Sequence, residues 1–238
     1  MVLLEKGGAT AMKRHNGQMS DSLRLGTVLT LAGGLQDAYS YNCRGQVFAN
    51  AQTGNIVLLG QSLAGGQWTV ALHYVFPLLA FLAGVYASEW VRHLGRRGRA
   101  LHWRQTVLLV EIILLIAAGF LPQTMNPLAN ALMSFACAMQ VDSFRKFRGV
   151  PCATTMCIGN MRSGTELLSR YHITRDKALL RKSLHYYYII LVFAAGAALG
   201  AVLTRQIGEK TIWIAAGLMA VGFALMFLKE ETSRSPST

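Results

Sequence analysis

Residues 184–203 run for twenty positions without a formal charge, and a run of that length narrows the possible folds sharply. A bilayer core takes roughly 20 apolar residues of helix, whereas a soluble core seldom needs more than one such stretch. Here Trp68–Ala87 and Thr211–Leu228 approach the same length. The chain therefore reads as an integral membrane protein, all-α and polytopic. Its mean hydropathy is only +0.35 because polar tails and two basic loops dilute the apolar runs.

Six segments read as full spans, at about Leu23–Tyr41, Trp68–Val91, Gln105–Leu121, Pro127–Val141, Leu184–Leu203 and Thr211–Leu228. Two more, Gln46–Ala64 and Val150–Leu168, are shorter on apolar residues and carry Asn50, Gln52, Thr53 and Asn55, or Thr154, Thr155, Asn160 and Arg162. Loop charge separates the ways of threading them. If both weak segments turn back as re-entrant elements, twenty of the 23 Lys and Arg residues fall on one side; only Arg44, Arg205 and Lys210 fall on the other. If both cross, the split is near 12 to 11, and if only the first crosses it is 17 to 6. Positive residues accumulate on the cytoplasmic side, so six spans with both termini cytoplasmic is the expected topology. The net charge of +12 sits in these loops and not on an amphipathic surface, which excludes a nucleic-acid partner and points to anionic lipid.

The two halves echo each other. Asp37 and Asp142, Gly54 and Gly159, and Asn55 and Asn160 are each 105 residues apart, as are the softer matches Tyr39/Phe144 and Val47/Cys152. With three spans per half, the second half enters the membrane upside down relative to the first. The expected fold class is thus six transmembrane helices plus two broken or re-entrant segments, arranged as two inverted three-span repeats. The repeats would occupy 23–126 and 127–228, a single membrane domain between a polar tail at 1–22 and a disordered tail at 229–238. Met1–Ser20 lacks the apolar stretch of a cleavable signal peptide.

Ionisable groups and helix breakers inside such segments are the candidate site. A carboxylate in hydrocarbon costs roughly 2.5 to 3.5 kcal/mol, so Asp37 should face a cavity or a partner. It reads either as a proton or cation site or as an acceptor for backbone N–H groups of a broken helix. Asp142, at the mirrored place, is followed by Arg145, Lys146 and Arg148, which favours a salt bridge at the inner interface. Thr53-Gly54-Asn55 reads as a break before a half-helix of about nine residues, roughly 14 Å long; Gly159-Asn160 repeats the device. Two half-helix N-termini aimed at the centre would stabilise an anionic group, with Arg162 adding a full charge. The other reading is a tight crossing of two broken helices, with Arg162 paired to Glu166. Glu111 has no acidic counterpart at Ala216, and snorkelling or pairing with an inner-loop Arg is expected of it. His73 and Gln140 read as interhelical hydrogen-bond partners.

Cys43, Cys137, Cys152 and Cys157 show no metal-ligand spacing and read as buried small residues or free thiols; no metal, cofactor or catalytic residue is implied. Ser163-Gly164 lacks the frame of a nucleophile elbow, and an enzyme is not expected.

Two stretches carry a family resemblance. Gly34-Leu35-Gln36-Asp37-Ala38 through Phe48-Ala49-Asn50-Ala51-Gln52-Thr53-Gly54-Asn55, with Ala138 to Arg145 and Gly159-Asn160 in the second half, resembles the YoaK-like family of bacterial multi-pass membrane proteins of unknown function. Gln52 stands where relatives often carry Met, and Asp142 where an amide is common. The resemblance implies no substrate. The residues themselves point to secondary transport or permeation of a small solute, an anionic one if the half-helix reading holds. Thr53, Gly54, Asn55, Gly159, Asn160 and Arg162 would then bind solute, and Asp37 and Asp142 would couple a proton or cation. A non-transporting sensor or assembly scaffold is the alternative. The expected setting is the bacterial inner membrane, with the bilayer, the solute and its coupling ion as partners; a homo-oligomer is compatible with it.

Overall fold

A computed structural model describes residues 22–95 and 102–227 of the chain. The N-terminal tail before Ser22, part of the first basic loop and the C-terminal tail lie outside the described residues. Eight α-helices carry the fold: α1 (Leu23–Cys43), α2 (Gln52–Ala64), α3 (Trp68–Gly95), α4 (Trp103–Phe120), α5 (Asn126–Ser143), α6 (Cys157–Thr174), α7 (Lys177–Ile207) and α8 (Thr211–Leu225). Among the described residues, the one departure from an all-α reading is a small hairpin of β1 (Lys146–Phe147) and β2 (Val150–Pro151). Its two turn residues, Arg148 and Gly149, have φ of +50° and +74°, as a two-residue turn matching strand twist requires.

Among the described residues, three helical stretches are long and apolar enough to cross a membrane: Trp68–Leu94, Trp103–Phe120 and Lys177–Leu225. The last comprises α7 and α8, joined by a 3-10 turn that starts at Gly208 with φ +57°. At 31 residues α7 is about 46 Å long, more than the ~30 Å hydrocarbon core, so the basic turns around Lys177, Arg181 and Lys182 belong beyond it. Exposed Leu72, Leu79, Leu82, Ile113, Leu191 and Val202 give these helices their lipid-facing surface.

The two central helices have a different character. On α1, Thr30, Gln36, Asp37 and Ser40 are buried; on α5, Asn130, Ser134, Gln140 and Asp142 are. Each lies inside a cage of the more apolar helices. α1 packs on α7 and α8, and α5 packs on α3 and α4; α4 meets α8, while α2 lies on α3 and α6 on α7. Small residues permit the closest crossings. A Cβ at Gly34 would collide with the Phe193 carbonyl of α7, and one at Gly196 with the Leu31 carbonyl of α1. Across the molecule, Gly84 of α3 gives the same intimate approach to Phe135 and Ala138 of α5.

The weak sequence segments become α2 and α6, but their boundaries move. The helices start at Gln52 and Cys157, so Thr53-Gly54-Asn55 and Gly159-Asn160 lie in first turns and are not the breaks. The irregular backbone lies just upstream, at 44–51 and 152–156. Neither N-terminus has a side-chain cap.

Candidate functional site

Two polar side chains and one backbone carbonyl of α1 hold the segment that precedes α2. Asp37 Oδ1 accepts the Asn50 N–H at 2.7 Å, Ser40 Oγ accepts the Ala49 N–H at 3.0 Å, and the Gly33 carbonyl accepts from Asn50 Nδ2 at 2.7 Å. Irregular backbone at membrane depth must find its hydrogen bonds in protein, and α1 supplies them here. Asp37, only 6% exposed, thus has a defined acceptor role. Asn55 completes the segment by bonding both the N–H and the carbonyl of Phe48.

The second half repeats part of this wiring. Asn160 spans the N–H and carbonyl of Ala153 at 3.4 and 2.7 Å, and Ala153 is the 105-residue counterpart of Phe48. Thr155, counterpart of Asn50, lies against Gly33 and makes a 3.8 Å contact to Cys137 Sγ. Asp142 departs from its counterpart. It is engaged by Ser88 Oγ and by the Arg145 guanidinium, and Arg145 also reaches Glu89 at 3.4 Å. The salt bridge expected of Asp142 is present.

The candidate residues therefore fall into separate places. What converges is Asn50 and Thr155, on Gly33 of α1. No hydrogen bond joins the two Gly-Asn pairs, and α2 and α6 pack on different partners. Thr53 is exposed, Gly54 sits under the Phe48 ring, and Gly159 is open. Arg162 is exposed and forms no ion pair, with Glu166 or with any other described residue. It points away from the place proposed for it because α6 turns its Asn160–Gly164 face inward.

One groove, of about 440 Å³, touches this machinery. It opens between α3, α5, the hairpin and α6, with Asp142, Arg145, Asn160 and Ser163 as its polar lining and Phe81, Val85 and Met156 among its apolar walls. Asp37, Gly54 and Asn55 do not line it.

Two charged residues gained importance only in three dimensions. Glu111 neither snorkels nor meets an arginine: it is fully buried in mid-α4. With the Gln140 amide assigned so that its nitrogen faces Glu111, the orientation that gives both of its polar atoms a partner, it donates to both carboxylate oxygens at 2.8 and 3.1 Å and its oxygen accepts from Thr154 Oγ1. A lone carboxylate in the uncharged run 105–121 was the available signal. Arg44, read from sequence as a loop charge, is also fully buried. It donates to Tyr39 Oη, to the Leu121 and Ala118 carbonyls and to Asn126 Oδ1, and lies 3.6 Å from Glu209. It thereby closes the C-terminus of α4, where helix carbonyls lack intrahelical partners. Among the described residues, no three His, Cys, Asp or Glu side chains group as metal ligands.

The family described as protein of unknown function (DUF1275) matches residues 25–225. The chain belongs to that family. Its resemblance to YoaK-like proteins extends over most of its length: it is 23% identical over 197 residues to the UPF0700 transmembrane protein YoaK of Bacillus subtilis (strain 168), covering 79% of this chain and 86% of that one. No solved structure matches it. As a DUF1275 member with long apolar helices, the chain is an integral membrane protein.

Proposed function

We propose that this protein is a secondary transporter or permease of a small solute, built as two inverted three-span repeats in the inner membrane with both termini cytoplasmic. The observation that carries the reading is the state of two core carboxylates. Asp37 and Glu111 are both buried, and among the described residues neither forms an ion pair with Lys or Arg. A buried acid without a counter-charge is costly even when hydrogen-bonded, and intramembrane ionisable groups of this kind mark ion and solute pathways.

Packing supports the repeat. Exchanging α1–α4 for α5–α8 turns the pairs α1–α7, α1–α8 and α2–α3 into α5–α3, α5–α4 and α6–α7, all of which are present, while α4–α8 maps onto itself. Helices exchanged in this way are what a pseudo-two-fold axis in the membrane plane would produce. The groove beside Asp142 and Arg145 serves in this reading as the cytoplasmic vestibule. Arg145, its side chain 56% exposed, favours an anionic solute there.

A second reading has its own observation. The groove stops short of Asp37, whose carboxylate already serves the backbone, and a packed centre of that kind suits a membrane sensor or scaffold.

Uptake separates the two. Proteoliposomes holding the full chain are offered a carbon-labelled extract of low-molecular-weight metabolites under an imposed pH gradient, and the retained label is identified by mass spectrometry. Transport predicts selective retention over protein-free vesicles. Equal retention under both a pH gradient and a membrane potential removes the transporter assignment.

A further inference from the structure

Beside Glu111, inside the core, lies a second polar side chain with nothing to bond. Gln36 approaches the carboxylate from α1 and is 1% exposed, yet neither its amide oxygen nor its amide nitrogen completes a hydrogen bond. On the other side, Gln140 donates to the carboxylate and accepts from Thr154, so that side is satisfied. What the arrangement leaves open is the bond between Glu111 and the Gln36 amide.

We propose that Glu111 is a proton-binding site of the membrane core, the bound proton being shared with Gln36. Protonation forms an O–H bond on one Glu111 oxygen, and that O–H donates to Gln36 Oε1. The other oxygen keeps the N–H of Gln140. A continuous chain then runs Thr154, Gln140, Glu111, Gln36, from the segment before α6 through α5 and α4 to α1. When the proton leaves, rotation of the Gln36 amide presents its N–H to the carboxylate, so both states have partners with no movement of the helices. Buried polar groups left unpaired cost about 1–3 kcal/mol each, and the Gln36 amide, able to accept from the acid or donate to the carboxylate, avoids that cost in both states.

The surroundings agree with a proton and with no fixed counter-charge. From α5 comes Cys137, within electrostatic reach of both Asp37 and Glu111; from α1 come Gln36 and Asp37. α8 contributes Ala215, Ala216 and Met219 to the same core. α3 touches α4 lightly; its His73 is exposed and its Glu89 and Arg92 pair with each other near its end. Two guanidiniums flank it along α4, each seven residues or roughly 10 Å away: Arg104 of α4 itself, which donates to the Ser143 carbonyl, and Arg44, bonded to Ala118.

The binding itself is independent of transport; only its role as the coupling proton rests on the reading above. Infrared difference spectroscopy of the full-length protein in lipid nanodiscs at pH 7 tests it, because exposed carboxyl groups are ionised there and do not contribute an acid C=O band. The expected result is an acid band in the wild type that is retained in Asp37→Asn and loses one carboxyl equivalent in Glu111→Gln. Gln36→Leu, which leaves Glu111 in place, should shift the band to higher frequency by removing its hydrogen-bond acceptor. No acid band in the wild type, an undiminished band in folded Glu111→Gln, or an unmoved band in Gln36→Leu overturns the proposal. A band that behaves as expected alongside failed metabolite uptake would instead discard the transport reading and leave the proton site standing.

Discussion

Asn55 grips Phe48 by both polar groups of its backbone, accepting the N–H at 2.9 Å and donating to the carbonyl at 2.8 Å. Asn160 holds Ala153 in the same way, also seven residues upstream. The amide side chain acts as a substitute strand edge for a segment with no neighbour of its own, a use that Asp, Leu or Ala cannot reproduce. Each asparagine is needed for shape before any contact with solute is considered.

Replacing Asn55 by Ala is therefore expected to destabilise the protein by about 2–4 kcal/mol, since it strands two part-buried backbone groups at about 1–3 kcal/mol apiece. Asn160→Ala should cost less, because its bond to the Ala153 N–H is long at 3.4 Å and Asn55 alone also bonds Gln52. Thermal unfolding in detergent, followed by reaction of the buried Cys137 and Cys152 thiols, gives the ranking. Equal, small shifts would mean that water or another donor takes over and the clamp has no energetic weight.

Arg44 offers a sharper case. Its guanidinium is fully buried and ties the end of α1 to the carbonyls that finish α4. Lysine keeps the charge but not the planar fork, so Arg44→Lys should be nearly as harmful as Arg44→Met. Breaking a buried charge network typically costs about 3–5 kcal/mol, enough to lower expression as well as the melting midpoint. Full stability of Arg44→Lys would show that a single donor suffices at that helix end.

Much of this was legible from residue order, and the exceptions share a cause. Long apolar runs announced α3, α4, α7 and α8 because lipid touches those helices. α1 and α5 were found from length and the Asp37/Asp142 echo, although hydropathy marks them weakly: protein encloses them, so they carry Thr30, Gln36, Ser134 and Gln140 at little cost. The helix starts at Gln52 and Cys157 are hidden in the sequence because Gly54 and Gly159 read as breaks. Gly54 in fact makes room for the Phe48 ring, which a Cβ there would meet at 2.8 Å. Glu111 was read by its distance from the basic loop, and only packing shows that α1 and α5 close over it. Arg44 was counted as a loop charge because a buried arginine is visible only through its acceptors, which come from residues 39, 118, 121 and 126.

Topology is open to direct measurement. Ala64 ends α2 and His172 lies in the last turn of α6, both exposed and both on segments whose threading sets the span count. In the six-span arrangement, Ala64→Cys is labelled by a membrane-impermeant maleimide applied outside intact cells, whereas His172→Cys is labelled only after the membrane is opened. Labelling of both from one side would contradict the inverted repeat, because the two positions would then lie on the same face.

The groove gives the last prediction, because there stability and function should separate. Arg145 is 56% exposed at its side chain, and exposed ion pairs contribute about 0–1 kcal/mol. Its partner Asp142 is buried but keeps the Ser88 hydroxyl when Arg145 is lost. Arg145→Gln should thus melt within about 1 kcal/mol of the wild type while uptake of an anionic solute falls by tenfold or more, tenfold corresponding to about 1.4 kcal/mol of binding. Asp142→Asn inverts the pattern: it frees the guanidinium for solute, so apparent affinity for an anion should hold or rise. The pair is decided by initial uptake rates across a concentration series for both variants. If Arg145→Gln and Asp142→Asn impair uptake equally through lost protein alone, the groove is a packing feature, and solute must enter elsewhere.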